Sequence, residues 1–189
     1  MQIPEQTVGE AATHRRREGL EAFQASLFAR MDAACCEQLQ ARRLAVLIGD
    51  RHCLLNPAEA GEILALGGLP APTHVPLTRA WYLGLLNIRG NLVGVADLAA
   101  LAGAAPQARG RDSRVLVFAP GLAPNCGLLL SSVLGLRDIS EMTQISKTYE
   151  SKTELAGIVR RYKDTAGTEW NEIGLAALLS DAAFLHVGR

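Results

Sequence analysis

The sequence predicts a mainly β protein made of two similar β subdomains, preceded by an N-terminal α-helix. From residue 43 onward, short apolar runs of strand length alternate with Gly, Pro and polar turns. A unit of strand, turn, strand and short helix occurs twice, around residues 82–102 and 154–179. Upstream of these runs, apolar residues recur at steps of three and four, as they do on one face of a helix.

The N-terminal region carries the predicted helix. Residues 1 to about 12 are polar and lack a pattern. The apolar stripe that follows contains Leu20, Phe23, Leu27 and Met31. We expect a tail and amphipathic helix over residues 1–40, the helix itself near 14–40, and a β domain over 41–189. The stripe needs a surface to bury it, which is its own domain, a partner helix or a second subunit.

The first apolar runs of strand length predict a β-hairpin. Residues 44–48 and 51–55 flank a Gly-Asp turn and predict a strand pair. Asn56 and Pro57 should interrupt the second strand, because proline donates no ladder hydrogen bond. The chain can resume a strand near residues 62–64, and the Gly and Pro residues between 67 and 76 predict an extended loop.

Residues 81–98 contain two apolar runs that meet at a tight polar corner. We expect Gly90 and Asn91 to supply the positive φ angles of a two-residue hairpin turn, which would hold the neighbouring Arg89 in place. We assign Gly84 to backbone geometry and Asn87 to a side-chain hydrogen bond within the corner. Asp97 should cap a short helix over residues 98–102.

The second half repeats this pattern after a loop over residues 104–113. Strands are predicted over 114–119 and 126–134, while residues 135–149 alternate too weakly to assign. The second copy of the repeat then has runs at 155–160 and 170–173, a longer turn at 162–168 and a helix at 175–179.

Composition argues against several functional classes. Nineteen basic and nineteen acidic residues cancel, so nothing favours nucleic acid as a partner. No apolar stretch approaches the roughly 18 residues of a membrane-spanning helix, and no secretory leader is present, so we expect a cytoplasmic protein without direct membrane insertion. The four cysteines and four histidines lack metal-ligand spacing. Nucleophile-elbow and Walker-type motifs are absent from the sequence, so we expect no catalytic residue and no cofactor.

The corner at residues 81–98 also carries a family resemblance. Its pattern of apolar-Gly-apolar-apolar-Asn-apolar-Arg-Gly, followed by an apolar strand and Asp-Leu, resembles the signature of CheW-type chemotaxis coupling domains. The resemblance spans residues 43 to 189. It implies two small five-stranded SH3-like β-barrels around a hydrophobic seam, and an adaptor rather than an enzyme. Gly94 and Ala96 depart from it, since the family commonly has Pro and a larger aliphatic residue there.

The resemblance also implies partners and a site. Such adaptors join the cytoplasmic tip of methyl-accepting chemoreceptors to the regulatory domain of a CheA-type histidine kinase, at membrane-associated receptor arrays. Glu62 and Arg89 match the family's acidic residue and arginine beside the receptor-binding groove. Five apolar residues could line that groove: Ala60, Ile63, Leu86, Val133 and Leu134. The N-terminal helix and the segment 181–188 resemble the type IV pilus (twitching-motility) PilI branch.

Other interpretations remain open from the sequence. Glu62 and Arg89 could form an ordinary surface salt bridge, and the five apolar residues could simply be barrel core. A small-molecule binder or enzyme that uses the cleft between the barrels would need convergent polar groups, and the sequence shows no such cluster. A structural oligomer assembled through the 14–40 helix is the third possibility.

Overall fold

The computed structural model describes residues 41–123, 125–146 and 154–189. The helix predicted over residues 14–40 lies outside these ranges. The chain divides into two compact units, Met1–Ala41 and Arg42–Arg189, and every element below belongs to the second unit.

The described residues form eleven strands, three short α-helices and two 3-10 turns. The strands are β1 (Arg42–Ile48), β2 (Arg51–Leu55), β3 (Ala60–Ala65), β4 (Tyr82–Ile88), β5 (Asn91–Ala96), β6 (Arg114–Phe118), β7 (Cys126–Leu130), β8 (Ser132–Asp138), β9 (Thr143–Ile145), β10 (Ile158–Lys163) and β11 (Glu169–Ile173). The helices are α1 (Leu98–Leu101), α2 (Leu175–Leu178) and α3 (Ala182–Leu185), and the 3-10 turns are Leu66–Gly68 and Ile139–Glu141.

The strands form two sheets, which confirms the predicted mainly β fold. One sheet has the order β8-β1-β2-β11-β10-β9, and the other has the order β3-β6-β7-β5-β4. Neighbouring strands are antiparallel, apart from one parallel pair in each sheet, β2 with β11 and β5 with β7. The first sheet has one strand more than the predicted five, because the three-residue β9 extends its β10 edge.

The two sheets have the same internal arrangement. In each, a hairpin leads into a four-residue helix of sequence Leu-Ala-Ala-Leu, and the second hairpin strand makes the parallel pair. The order β3-β6-β7-β5-β4 matches β8-β1-β2-β11-β10 position by position. Beside β10, the first sheet has the additional strand β9. At the matching position beside β4, the second sheet has only an isolated bridge between Thr73 and Leu85.

The chain changes sheets within the segment predicted as one strand over residues 126–134. The structure corrects this prediction, because β7 ends at Leu130 in one sheet and β8 begins at Ser132 in the other. Ser131 lies between them, and its N–H donates to the Leu47 carbonyl at 2.8 Å. Only Ser131 and Ser132 interrupt the apolar run, and two polar residues do not by themselves distinguish a change of sheet from one continuous strand.

Two other boundaries differ from the sequence prediction. Residues 135–149, left unassigned, contain the end of β8 and all of β9. The hairpin turn predicted over 162–168 is shorter, since β10 runs from Ile158 to Lys163. Asp164 organises the remaining turn by accepting hydrogen bonds from Thr168 N at 2.8 Å and Trp170 Nε1 at 3.0 Å.

The core has three parts. The largest takes residues from both sheets and all three helices, with Leu55, Leu116 and Ile173 fully buried, so it forms the seam between the sheets. Each sheet also has a smaller cluster on its other face. At the C-terminal end, Phe184 stacks on Trp81 with ring centroids 5.9 Å apart, which fixes α3 against the seam.

A buried polar network connects the sheets beside this seam. Asp97, which has no exposed surface, accepts hydrogen bonds from Ala100 N at 3.1 Å and from the Gln107 N and Nε2, each at 2.8 Å. Gln107 Oε1 accepts from Gly49 N at 2.9 Å and Ser131 Oγ at 2.8 Å. The network therefore ties the start of α1 to the β1–β2 turn and to the crossing between β7 and β8. Within the described residues, none of the helices has the length and apolar character needed to span a membrane.

Candidate functional site

The turn between β4 and β5 is built from Arg89 and Gly90. Their φ angles are 51° and 89°, and Ile88 pairs with Asn91 across the hairpin, as in a type I′ turn. The prediction of Gly90 and Asn91 as the two central residues is therefore wrong by one position, since Asn91 is the first residue of β5. The register places an arginine where glycine or asparagine is usual.

The corner holds Arg89 in the left-handed conformation through its neighbours. The Asn87 Oδ1 accepts a hydrogen bond from Gly90 N at 2.8 Å, so this side chain acts within the turn. A left-handed conformation costs a residue with a Cβ about 1–2 kcal/mol. Strain of this kind, carried by an exposed charged residue, is typical of positions retained for function.

Gly84 lies at a bulge in β4, where another segment comes very close. Its φ is +117°, and a Cβ there would lie 2.1 Å from the Thr73 carbonyl oxygen. Thr73 and Leu85 exchange backbone hydrogen bonds of 2.8 and 2.9 Å. Glycine is therefore required both for the backbone conformation and for the approach of this segment, which fixes the position of β4 and hence of its turn.

Glu62 and Arg89 form a two-pronged ion pair. The Arg89 NH2 lies 2.7 Å from the Glu62 Oε1, and its NH1 donates to Oε2 at 3.2 Å. Glu62 belongs to β3 and Arg89 follows β4, which are the two edge strands of one sheet. The pair thus joins opposite edges of a strongly curled sheet. The Arg89 side chain is 76% exposed and that of Glu62 is 38% exposed, so the Arg89 guanidinium remains open to a partner.

A groove of about 620 Å³ lies beside this ion pair. The lining residues come from β3, the β4–β5 hairpin, the end of β6 and the β6–β7 connection: Gly61, Glu62, Ile88, Arg89, Asn91, Val93, Val117, Phe118, Pro120 and Asn125. The apolar members make a hydrophobic floor, whereas the amides and the ion pair supply polar groups. A concave apolar surface with a few polar groups suits the docking of an amphipathic segment.

The five apolar residues predicted for the groove do not line it. Leu86 has no exposed surface and belongs to the core of its own sheet, so its assignment as a receptor contact is wrong. Ala60 and Val133 pack against the seam core. Ile63 and Leu134 are 36% and 43% exposed but lie elsewhere, because Ile63 follows Glu62 on an alternating strand and Leu134 is on β8 of the other sheet.

One part of the groove, contributed by the end of β6 and the β6–β7 connection, was not predicted from the sequence. Val117, Phe118, Pro120 and Asn125 follow Arg89 by about 30 residues and form no motif with it. Only the pairing of β3 with β6 brings them to Glu62. No local sequence signal reports that pairing.

Chemistry based on reactive thiols or metal ions finds no support at the described residues. Burial raises the pKa of Cys53 to about 12 and that of Cys126 to about 11, so both thiols stay protonated at neutral pH. In the described part of the chain, no group of three or more His, Cys, Asp or Glu side chains is placed to hold a metal ion.

Comparisons with known proteins agree with this architecture. Residues 43–180 match the family described as the CheW-like domain. Among solved structures, the fold is similar to that of the scaffolding protein TtCheW from Thermoanaerobacter tengcongensis. The TM-score is 0.59 at 19% sequence identity, over 76% of this chain and 95% of that one. Among curated proteins, none matches the sequence significantly. Since the family match covers most of the chain, this protein belongs to the family of CheW-like domains.

Proposed function

We propose that this chain is a non-enzymatic cytoplasmic adaptor that couples chemoreceptors to a CheA-type histidine kinase. Membership of the CheW-like family and similarity to a scaffolding protein support a role in signal transduction. The observation that carries the proposal is the Glu62–Arg89 ion pair beside an open apolar groove, with the arginine held in a strained turn.

The proposed mechanism is positional. The cytoplasmic tip of a receptor, a helical segment, lies along the groove and buries aliphatic side chains, each worth about 1.5–3 kcal/mol before ordering costs. Glu62 engages two nitrogens of the Arg89 guanidinium, which leaves other N–H donors available. A planar, pre-oriented guanidinium loses little freedom when it binds, so it favours one register of the receptor helix.

The kinase would bind at a separate surface, through its regulatory domain. Residues 41–189 form the adaptor domain in this proposal, and the chain acts at receptor arrays near the membrane without entering it. We assign the pathway to the type IV pilus branch, resembling PilI. That assignment rests on the helix predicted over residues 14–40 and on the C-terminal segment 181–188.

A titration tests this function. The full-length chain is titrated, by isothermal calorimetry, with the purified regulatory domain of the CheA-type kinase from the same organism, and separately with the receptor tip. We expect micromolar or tighter binding to both. A folded chain that binds neither protein would refute the adaptor function, and its mass at several concentrations would then test the structural-oligomer alternative.

A further inference from the structure

Leu77 is the second residue, besides Arg89, that adopts a positive φ without being glycine among the described residues. Its φ is 59°, and 81% of its surface is exposed, the largest exposed fraction of the large apolar residues described. An exposed leucine gains nothing from the core, and a left-handed leucine is strained. Neither burial nor backbone preference therefore explains a leucine at this position.

The C-terminal segment holds Leu77 in this conformation. The Leu77 carbonyl accepts a hydrogen bond from Arg189 N at 3.0 Å, and Arg79 N donates to the Val187 carbonyl at 2.9 Å. On the other side, Thr78 Oγ donates to the Val75 carbonyl at 2.7 Å. These bonds fix the backbone on both sides of Leu77 and keep its side chain in solvent.

We propose that Leu77 is the anchor of a second docking surface, which binds an acidic protein surface containing an apolar pocket. Strain retained at an exposed apolar side chain is explained when that side chain is buried in a complex. The binding partner supplies the burial that the isolated chain lacks.

The charges around Leu77 define the partner's chemistry. Arg79 and Arg189 are exposed, and neither side chain pairs with a carboxylate among the described residues. No acidic residue occurs in the sequence between 63 and 96 or between 182 and 189, and both stretches contain a histidine. A rim of this kind favours a partner surface rich in Asp and Glu.

The position of Leu77 separates its surface from the Arg89 groove. Leu77 precedes β4 and Arg89 follows it, and seven residues of strand span about 23 Å. Two proteins can therefore be bound at opposite ends of one strand. This inference rests on the proposed function: with the receptor helix in the Arg89 groove, the regulatory domain of the kinase occupies the Leu77 surface.

The test compares Leu77→Asn with wild type in titrations against the kinase regulatory domain and the receptor tip. Asparagine tolerates the left-handed conformation, so the fold is preserved. We expect at least tenfold weaker binding to the kinase domain and unchanged binding to the receptor, with the reverse pattern for Arg89→Asn. Wild-type affinity for the kinase domain should also fall as salt rises. Leu136→Asn, at a leucine 58% exposed on β8, is the matched control and should bind the kinase domain normally.

The outcomes separate this inference from the proposed function. Wild type that binds neither protein overturns both. Wild type that binds the kinase domain while Leu77→Asn binds it equally well overturns the Leu77 surface alone. A loss for Leu77→Asn that Leu136→Asn reproduces also overturns it, since any exposed leucine would then have the same effect.

Discussion

The substitution Arg89→Asn should separate binding from stability at the candidate site. Asn-Gly is the preferred pair for a type I′ turn, so the variant relieves the strain of an arginine at φ 51°. That relief is worth about 1–2 kcal/mol. The variant also removes the ion pair with Glu62, which is worth about 0–1 kcal/mol because both side chains are substantially exposed. The free energy of unfolding should therefore rise by about 0–2 kcal/mol.

Urea denaturation followed by tryptophan fluorescence measures this change. Arg89→Ala is the matched control, because alanine also loses the ion pair but keeps the strain, so it should be about 1–2 kcal/mol less stable than Arg89→Asn. Both variants should bind the receptor tip at least tenfold more weakly than wild type, since neither has the guanidinium. The reasoning is refuted if Arg89→Asn unfolds several kcal/mol more easily than wild type, or if it binds the receptor normally.

Four further substitutions test the framework of the fold. Gly84→Ala should cost at least about 3 kcal/mol in urea denaturation, because its Cβ would overlap the Thr73 carbonyl, whereas Gly90→Ala, with open space around it, should cost only about 1 kcal/mol. Asp97→Ala should cost about 3 kcal/mol by the same measurement, because it leaves buried donors without an acceptor. Hydrogen bonds from Trp170 and Thr168 lower the pKa of Asp164 below its ordinary value of 3.8. The stability that the ionised Asp164 carboxylate contributes is therefore present above pH 3.8 and is lost as the pH falls through the lowered pKa. Thermal unfolding scans below pH 4 should show wild type losing more stability than Asp164→Asn.

Local patterns in the sequence predicted local structure well. The hairpin of residues 44–48 and 51–55, the cap of Asp97 on α1 and the strands on either side of Arg89 all follow from short-range rules on turns, caps and alternation. The predicted position of the Arg89 turn was wrong by one residue, because glycine followed by asparagine also fits a tight turn. Strand pairing, which decides the true register, is not a local property.

Contacts between distant segments could not be predicted in this way. The change of sheet at Ser131 depends on β8 pairing with β1 as the edge strand of the other sheet. The groove depends on β3 pairing with β6. The role of Gly94 also depends on a contact that the sequence pattern does not show. From the sequence, Gly94 is only a departure from the Pro that the family commonly has at this position. In the structure a Cβ at Gly94 would lie 2.6 Å from the Tyr82 hydroxyl, so the aromatic side chain occupies the space.

The most direct measurement of the adaptor function is a three-component binding assay. The kinase regulatory domain and the receptor tip are mixed with and without this chain, and their co-elution is followed by size-exclusion chromatography with light scattering. We expect one complex containing all three proteins, formed only when the chain is present and lost with Arg89→Asn. Binding of the two partners in mutually exclusive complexes, with no ternary species at any concentration, would contradict it.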